Sequence, residues 1–274
     1  MPAERSELET FLGAVRFFTR LPVPEAFGQD MDDPAARTGI MRYFPAVGLV
    51  VGVLAGLAFA VTFFFWPKTL AVLAAIAIAM LVTGARHENG WGATVDAFCG
   101  GGNRGQVLAG LRESGVGRFG VVALILLLLA RFFALIEVEM QLVPVALIAG
   151  HAVSRLCSVC VFHLLGEADP ESAPENGQED DRENDRKTEE EAAPSSGGAL
   201  GRNELILAAV AALLPVLLLS PLQTIPALLF AAAATFWLWR LFRRRIGGHT
   251  AECLSAVQQL SEVAFYSGLL CALA

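Results

Sequence analysis

Three stretches hold most of the residues whose types and spacing suit chemistry. The first, TGARHENGWGATVDAFCGGGNRGQ at 83–106, places His87, Glu88, Asn89, Thr94 and Asp96 among many glycines. Gly100, Gly101 and Gly102, followed by Asn103 and Arg104, permit the close backbone approach that cradles a phosphate. The second, LRESGVGRFG at 111–120, adds Arg112, Glu113, Ser114 and Arg118. The third, RRRIGGHTAEC at 243–253, adds Gly247, Gly248 and Thr250. Arginines and glycines beside carboxylates suit a phosphorylated substrate, although anchoring of the cytoplasmic side would account for most of these arginines unaided. Farther on, Ser255, Gln258, Gln259, Glu262 and Tyr266 fall at helical spacing on one face. A polar stripe in a membrane helix points into a bundle or a wet cavity, so Glu262 is a functional candidate, with Arg131 and Arg155 as partners. A structural ion pair is the competing reading.

The elements that must position these residues are apolar helices. Of 274 residues, 55% belong to the AVILMFWYC class and 17% are charged, against about 25% in a soluble domain. The mean hydropathy is +0.55. Uncharged or singly charged runs cover 43–67, 69–85, 119–136, 140–166, 205–239 and 253–274. A span takes about 20 residues, so the 35-residue run at 205–239 divides at Pro221 and Pro226. The expectation is an all-α polytopic bundle of about seven spans, with an amphipathic or re-entrant helix at 8–20. The start of the chain does not read as a cleavable signal peptide.

Residues 166–202 hold 12 Asp/Glu and 4 Lys/Arg, so the chain's net charge of −7 describes this one segment. It reads as a disordered acidic linker between a membrane region at 1–165, containing the motif loop 83–120, and a second at 203–274. The charge balance excludes a basic nucleic-acid binder. Arginines fall on one side of the predicted spans and only Lys68 on the other, which places the motif loops in the cytoplasm. Of five cysteines, Cys157 and Cys160 form a C-x-x-C inside an apolar run and read as packing residues.

At these residues the chain resembles the cobalamin synthase family, the adenosylcobinamide-GDP ribazoletransferases. FLGAVRFFTRLPVP, RYFPAVGLVVG, TGARHENGWGATVDAFCGGG, RESGVGRFG, HAVSR and RIGGHT followed by QQLSE occur in the family's order. The resemblance covers nearly all of the chain outside the acidic linker. It implies an enzyme of the bacterial inner membrane at the last step of coenzyme B12 assembly. A hydroxyl of α-ribazole, or of its phosphate, attacks the phosphate joined to cobinamide, and GMP leaves. The implied cofactor is Mg²⁺, held by Glu88, Asp96 and Glu113. Arg104, Arg112 and Arg118 would meet phosphates. Asn89, Gly101, Ser114, Gly247, Gly248 and Thr250 would complete the substrate site. His87 would position or deprotonate the attacking hydroxyl, beside Glu88, Asp96 and Glu262. The family's carboxylates at the positions of Asn89 and Ala93 are missing here, which predicts weak metal binding. Two alternatives stand: a weakened homologue that binds or assembles in the same pathway, and a small transporter suggested by Arg131, Arg155 and Glu262. No internal repeat supports the transporter. A homo-oligomer is left open.

Overall fold

The computed structural model describes residues 6–28, 33–113, 115–168 and 200–271. Most of the acidic linker, together with Ser114, lies outside them. The elements are α1 Glu7–Phe18, α2 Pro34–Met41, α3 Phe44–Phe65, α4 Lys68–Thr83, α5 Arg86–Cys99, α6 Arg104–Arg112, α7 Arg118–Glu137, α8 Val143–Leu164, α9 Arg202–Leu213, α10 Pro221–Arg245 and α11 Ala251–Cys271. Among the described residues the only β pairing is a single bridge between Glu167 and His249. The fold is an all-α membrane bundle. Residues from both sides of the linker share it: α9, α10 and α11 all pack on α8.

Among the described residues, four helices are long and apolar enough to cross a bilayer: α3, α7, α8 and α10. A fifth span results if α4 and α5, bent by 87°, are counted as one. The sequence suggests about seven, and three runs fall short for separate reasons. The run at 69–85 stops at Gly84 and Ala85, both left-handed, with φ of 68° and 55°. For Ala85 that conformation costs about 1–2 kcal/mol. Gly84 suits this elbow because glycine takes the left-handed φ without a Cβ penalty. The run at 205–239 breaks before Pro221 rather than at it: α9 has 12 residues and closes in a 3-10 turn at Pro215–Leu218. Twelve residues rise only about 18 Å. The last run does form a 21-residue helix, α11, but its polar stripe lowers its hydropathy and it is sheathed by α5, α7, α8 and α10. The helix expected at 8–20 is α1, begun by a capping box of Ser6 and Glu9.

Helix α3 packs tightly on α8. Gly48, Gly52 and Gly56 repeat every four residues along one face of α3, and a Cβ at Gly48 or Gly52 would sit 2.4 Å from His151 O or 2.6 Å from Ile148 Cα. Small residues let membrane helices approach to backbone contact, where dispersion takes the place of the missing hydrophobic force. This contact fixes the depth and rotation of α8, which carries His151 and Arg155 into the interior.

The motif region at 83–120 is not a loop. It forms α5 and α6, joined by Gly100–Asn103 and followed by a short turn into α7. Glycine costs about 1 kcal/mol in a helix. Tertiary contact offsets this in α5: a Cβ at Gly90 would lie 2.5 Å from Ser255 Cβ, and one at Gly92 2.7 Å from Val116. Asn103 and Gln106 form a capping box that starts α6.

Candidate functional site

Helix α5 crosses the bundle with two faces of different character. Its first turn turns Glu88 inward, where the side chain is 4% exposed. Arg131 of α7 lies between two carboxylates, 3.7 Å from Glu88 Oε1 and 3.5 Å from Glu262 Oε1. Gln259 ties the group together: its Nε2 donates to Glu88 Oε1 at 3.0 Å, and its Oε1 accepts from Arg131 Nη2. Glu262 also lies 3.1 Å from His151 Nδ1 and accepts from Gln258 Nε2 at 3.1 Å and Tyr266 OH at 3.2 Å. Arg155 donates to His151 O at 2.8 Å, with its guanidinium over the Phe44 ring. Two arginines and two glutamates balance in formal charge, which is what allows them to be buried so deeply in an apolar bundle. The side chains fill the space between them. The helical face predicted for Gln258, Gln259, Glu262 and Tyr266 is therefore present, and Arg131 is the direct ionic partner.

His87 lines the same cluster. Its Nδ1 lies 3.4 Å from Ser255 Oγ, while that hydroxyl donates to Ala251 O at 3.0 Å. With that proton engaged, the pair is made by the tautomer that carries its hydrogen on His87 Nδ1, in which Nε2 holds the lone pair. Nε2 is buried and has no partner among the described residues. A neutral histidine in this tautomer is equipped to accept a proton.

The other face of α5 meets the chain turns at one end of the bundle. Asp96 accepts from Gly117 N at 2.5 Å and braces the turn into α7. Side chains at Gly117 or Gly120 would collide with its carboxylate, at 2.8 and 2.1 Å. Gly101 and Gly102 have φ of 76° and 111°, and Gly101 has open space where a Cβ would stand. Arg245 Nη2 donates to Gly102 O at 3.3 Å, and the Arg104 guanidinium passes 3.8 Å from the Cβ position of Gly247. The first and third motif stretches thus converge through Gly102 and Arg245 and through Arg104 and Gly247. Asn89, Arg112, Glu113 and Arg118 are exposed.

Two predicted substrate residues have architectural roles here. Gly248 packs on the backbone at Gly166 and Ala168, leaving no room for a side chain (2.7 Å). Thr250 caps α11, accepting from Cys253 N at 3.4 Å and donating to Glu252 at 2.8 Å. Between them, His249 Nδ1 donates to Leu165 O at 2.8 Å, and burial pushes its pKa below the usual histidine value. Ser114 lies outside the described residues.

The expected magnesium ligands do not form one site. Glu88 and Asp96 are eight residues apart on one helix, about 12 Å of axial rise. Glu88 is committed to Arg131 and Gln259, Asp96 to Gly117, and Glu113 is exposed at the end of α6. Among the described residues no three His, Cys, Asp or Glu side chains converge. The residues present do not fit a magnesium ion held by this chain alone. Cys157 and Cys160 pack half-buried, as expected, and are free thiols. Sequence reasoning missed His151 as a site residue. The available signal was its i, i+4 spacing to Arg155 inside an apolar run, since ionisable groups at membrane depth are rarely idle.

Residues 10–270 match the family described as "Cobalamin-5-phosphate synthase". The Shewanella baltica (strain OS185) protein named "Adenosylcobinamide-GDP ribazoletransferase" is 32% identical over 268 residues, 96% of this chain and 94% of its own. The protein of the same name from Shewanella amazonensis is 33% identical over 278 residues, 98% of each chain. That from Shewanella frigidimarina is 30% identical, covering 95% of this chain and 93% of its own. No solved structure matches.

Proposed function

This chain belongs to the cobalamin-5-phosphate synthase family, and from that premise we propose that it transfers α-ribazole, or its phosphate, to adenosylcobinamide-GDP with release of GMP. The observation that carries the reading is the match with the named ribazoletransferases over nearly the full length of both chains. In this reaction a ribazole hydroxyl oxygen bonds to the phosphorus joined to cobinamide. The bond from that phosphorus to the oxygen of GMP breaks, GMP leaves with the electron pair, and the hydroxyl proton passes to a base. Arg112 and Arg118 are exposed and have no carboxylate partner among the described residues, so they can meet the diphosphate. Gly101 allows backbone amides to approach it.

The motif helices face the cytoplasm of the bacterial inner membrane in this reading. What supports this is a difference between the bundle's ends. At one, Lys68 binds the carbonyls that end α7, among them Ile136 O at 2.5 Å. At the other stand Arg112, Arg118 and Arg243–Arg245, as the positive-inside rule requires. Product analysis with the full chain in nanodiscs tests the assignment. Arg112→Gln and Arg118→Gln should each raise KM for adenosylcobinamide-GDP about tenfold or more, from about 1.5–3 kcal/mol for a charged hydrogen bond. Unchanged KM in both would remove these arginines from the site.

A second reading, substrate binding without turnover, is favoured by the neutral Asn89 and Ala93 and by carboxylates that do not converge. Saturable binding with no GMP release would select it. Arg131 and Glu262 form an ion pair inside the bundle, so they give transport no support of their own.

A further inference from the structure

Helix α10 is the least enclosed of the spans: 22% of its most apolar window is buried. Its outward side carries Leu222, Ile225, Leu229, Phe236 and Trp237, the last two 60% and 58% exposed. The same side continues into Arg240, three residues after Trp237, and into Arg243 and Arg244, seven residues after Phe236 and Trp237 respectively. All three arginines are exposed and, among the described residues, none has a carboxylate partner. Arg243 is held over the Trp239 ring at 5.5 Å, and Trp239 stacks on Phe236. From Leu222 to Arg240 the helix rises about 27 Å, close to the hydrocarbon thickness of about 30 Å. The arginines therefore stand where acyl chains end and phosphates begin, facing outward and not toward α5.

From this arrangement we infer that the outer face of α10 is a selective seat for an anionic glycerophospholipid. Its acyl chains lie along Leu229, Phe236 and Trp237, and its phosphate engages Arg240, Arg243 and Arg244. The commitment to a lipid, over free phosphate, rests on the continuity of an apolar stripe and a cationic cluster on one helix face. A soluble anion would use only the second. Each arginine near an anionic membrane surface contributes about 1 kcal/mol, about a fivefold preference.

The test is native mass spectrometry of the full chain in detergent, titrated with phosphatidylglycerol or phosphatidylcholine of matched acyl chains. Phosphatidylglycerol should be retained at least about tenfold better. The triple variant Arg240→Gln, Arg243→Gln, Arg244→Gln should lose that preference, and the triple Lys variant should keep it. If the Gln variant does not fold, the parent decides alone: its preference should shrink as salt rises and the Debye length falls from about 10 Å at 0.1 M to about 3 Å at 1 M. Equal retention of the two lipids, or a preference that survives both salt and the Gln variant, overturns the inference. Displacement of bound lipid by millimolar inorganic phosphate would reassign the cluster to a soluble anion. A dimer that forms through this face and excludes lipid would do the same for a second copy of the chain.

Discussion

Replacing Arg131 by Met should be among the most damaging single changes in this protein. Arg131 is 2% exposed and is the cation between Glu88 and Glu262. With it, the two arginines and two glutamates of the cluster are neutral overall; without it, two buried carboxylates retain only Arg155. Leaving a buried charge uncompensated costs about 3–5 kcal/mol. Hydrogen bonds between membrane helices average about 0.6 kcal/mol in measured cycles, so loss of the Gln259 contact alone would not reach that range. The double variant Arg131→Met, Glu262→Gln restores the charge balance and should recover much of the loss, with a coupling of about 1–3 kcal/mol. Reversible unfolding in mixed micelles, read by tryptophan fluorescence for the parent, both singles and the double, gives the cycle. A single-variant cost below about 1 kcal/mol with no coupling would refute the claim that these charges are interdependent.

Three smaller predictions concern the frame around the site. Gly52→Val should separate α3 from α8, because even a Cβ would sit 2.6 Å from Ile148 Cα. A loss of about 1–3 kcal/mol in the same unfolding assay is expected, and a neutral result would mean the helices are not in backbone contact. Thr250→Ala should cost about 1 kcal/mol by uncapping α11, with Thr250→Ser nearly neutral. His249 carries the pH prediction. Its folded pKa lies below the free value of about 6.5, so the neutral form's contribution is complete above that pH. As pH falls below it, the unfolded chain takes up the proton first and stability declines until the folded pKa is passed. The His249→Gln variant should show a shallower decline between pH 7 and 5, and an identical slope would refute the assignment.

The polar stripe of α11 is legible in the sequence because membrane context turns a helical period of glutamines and Glu262 into an inward face. The two faces of α5 are less so. Glu88 and Asn89 are adjacent in sequence, yet one is buried against Arg131 and the other exposed. Only the elbow at Gly84 and Ala85 fixes that rotation, and left-handed Ala85 has no sequence signature. Hydropathy cannot see that Pro215 ends α9 after 12 residues. The glycines at 48, 52 and 56 form a small-residue repeat that is readable in advance, although the partner helix is not. Gly248 and Thr250 sit among plausible ligand residues and instead brace the start of α11. Residue type alone does not distinguish those two uses.

Product stoichiometry tests the transfer directly. Full-length protein in anionic-lipid nanodiscs is mixed with adenosylcobinamide-GDP and α-ribazole, and GMP and the joined corrinoid product are quantified together by chromatography. Equal amounts of both are expected, appearing only when α-ribazole is present. GMP released without α-ribazole, or both substrates bound with neither product formed, would contradict the proposed transfer.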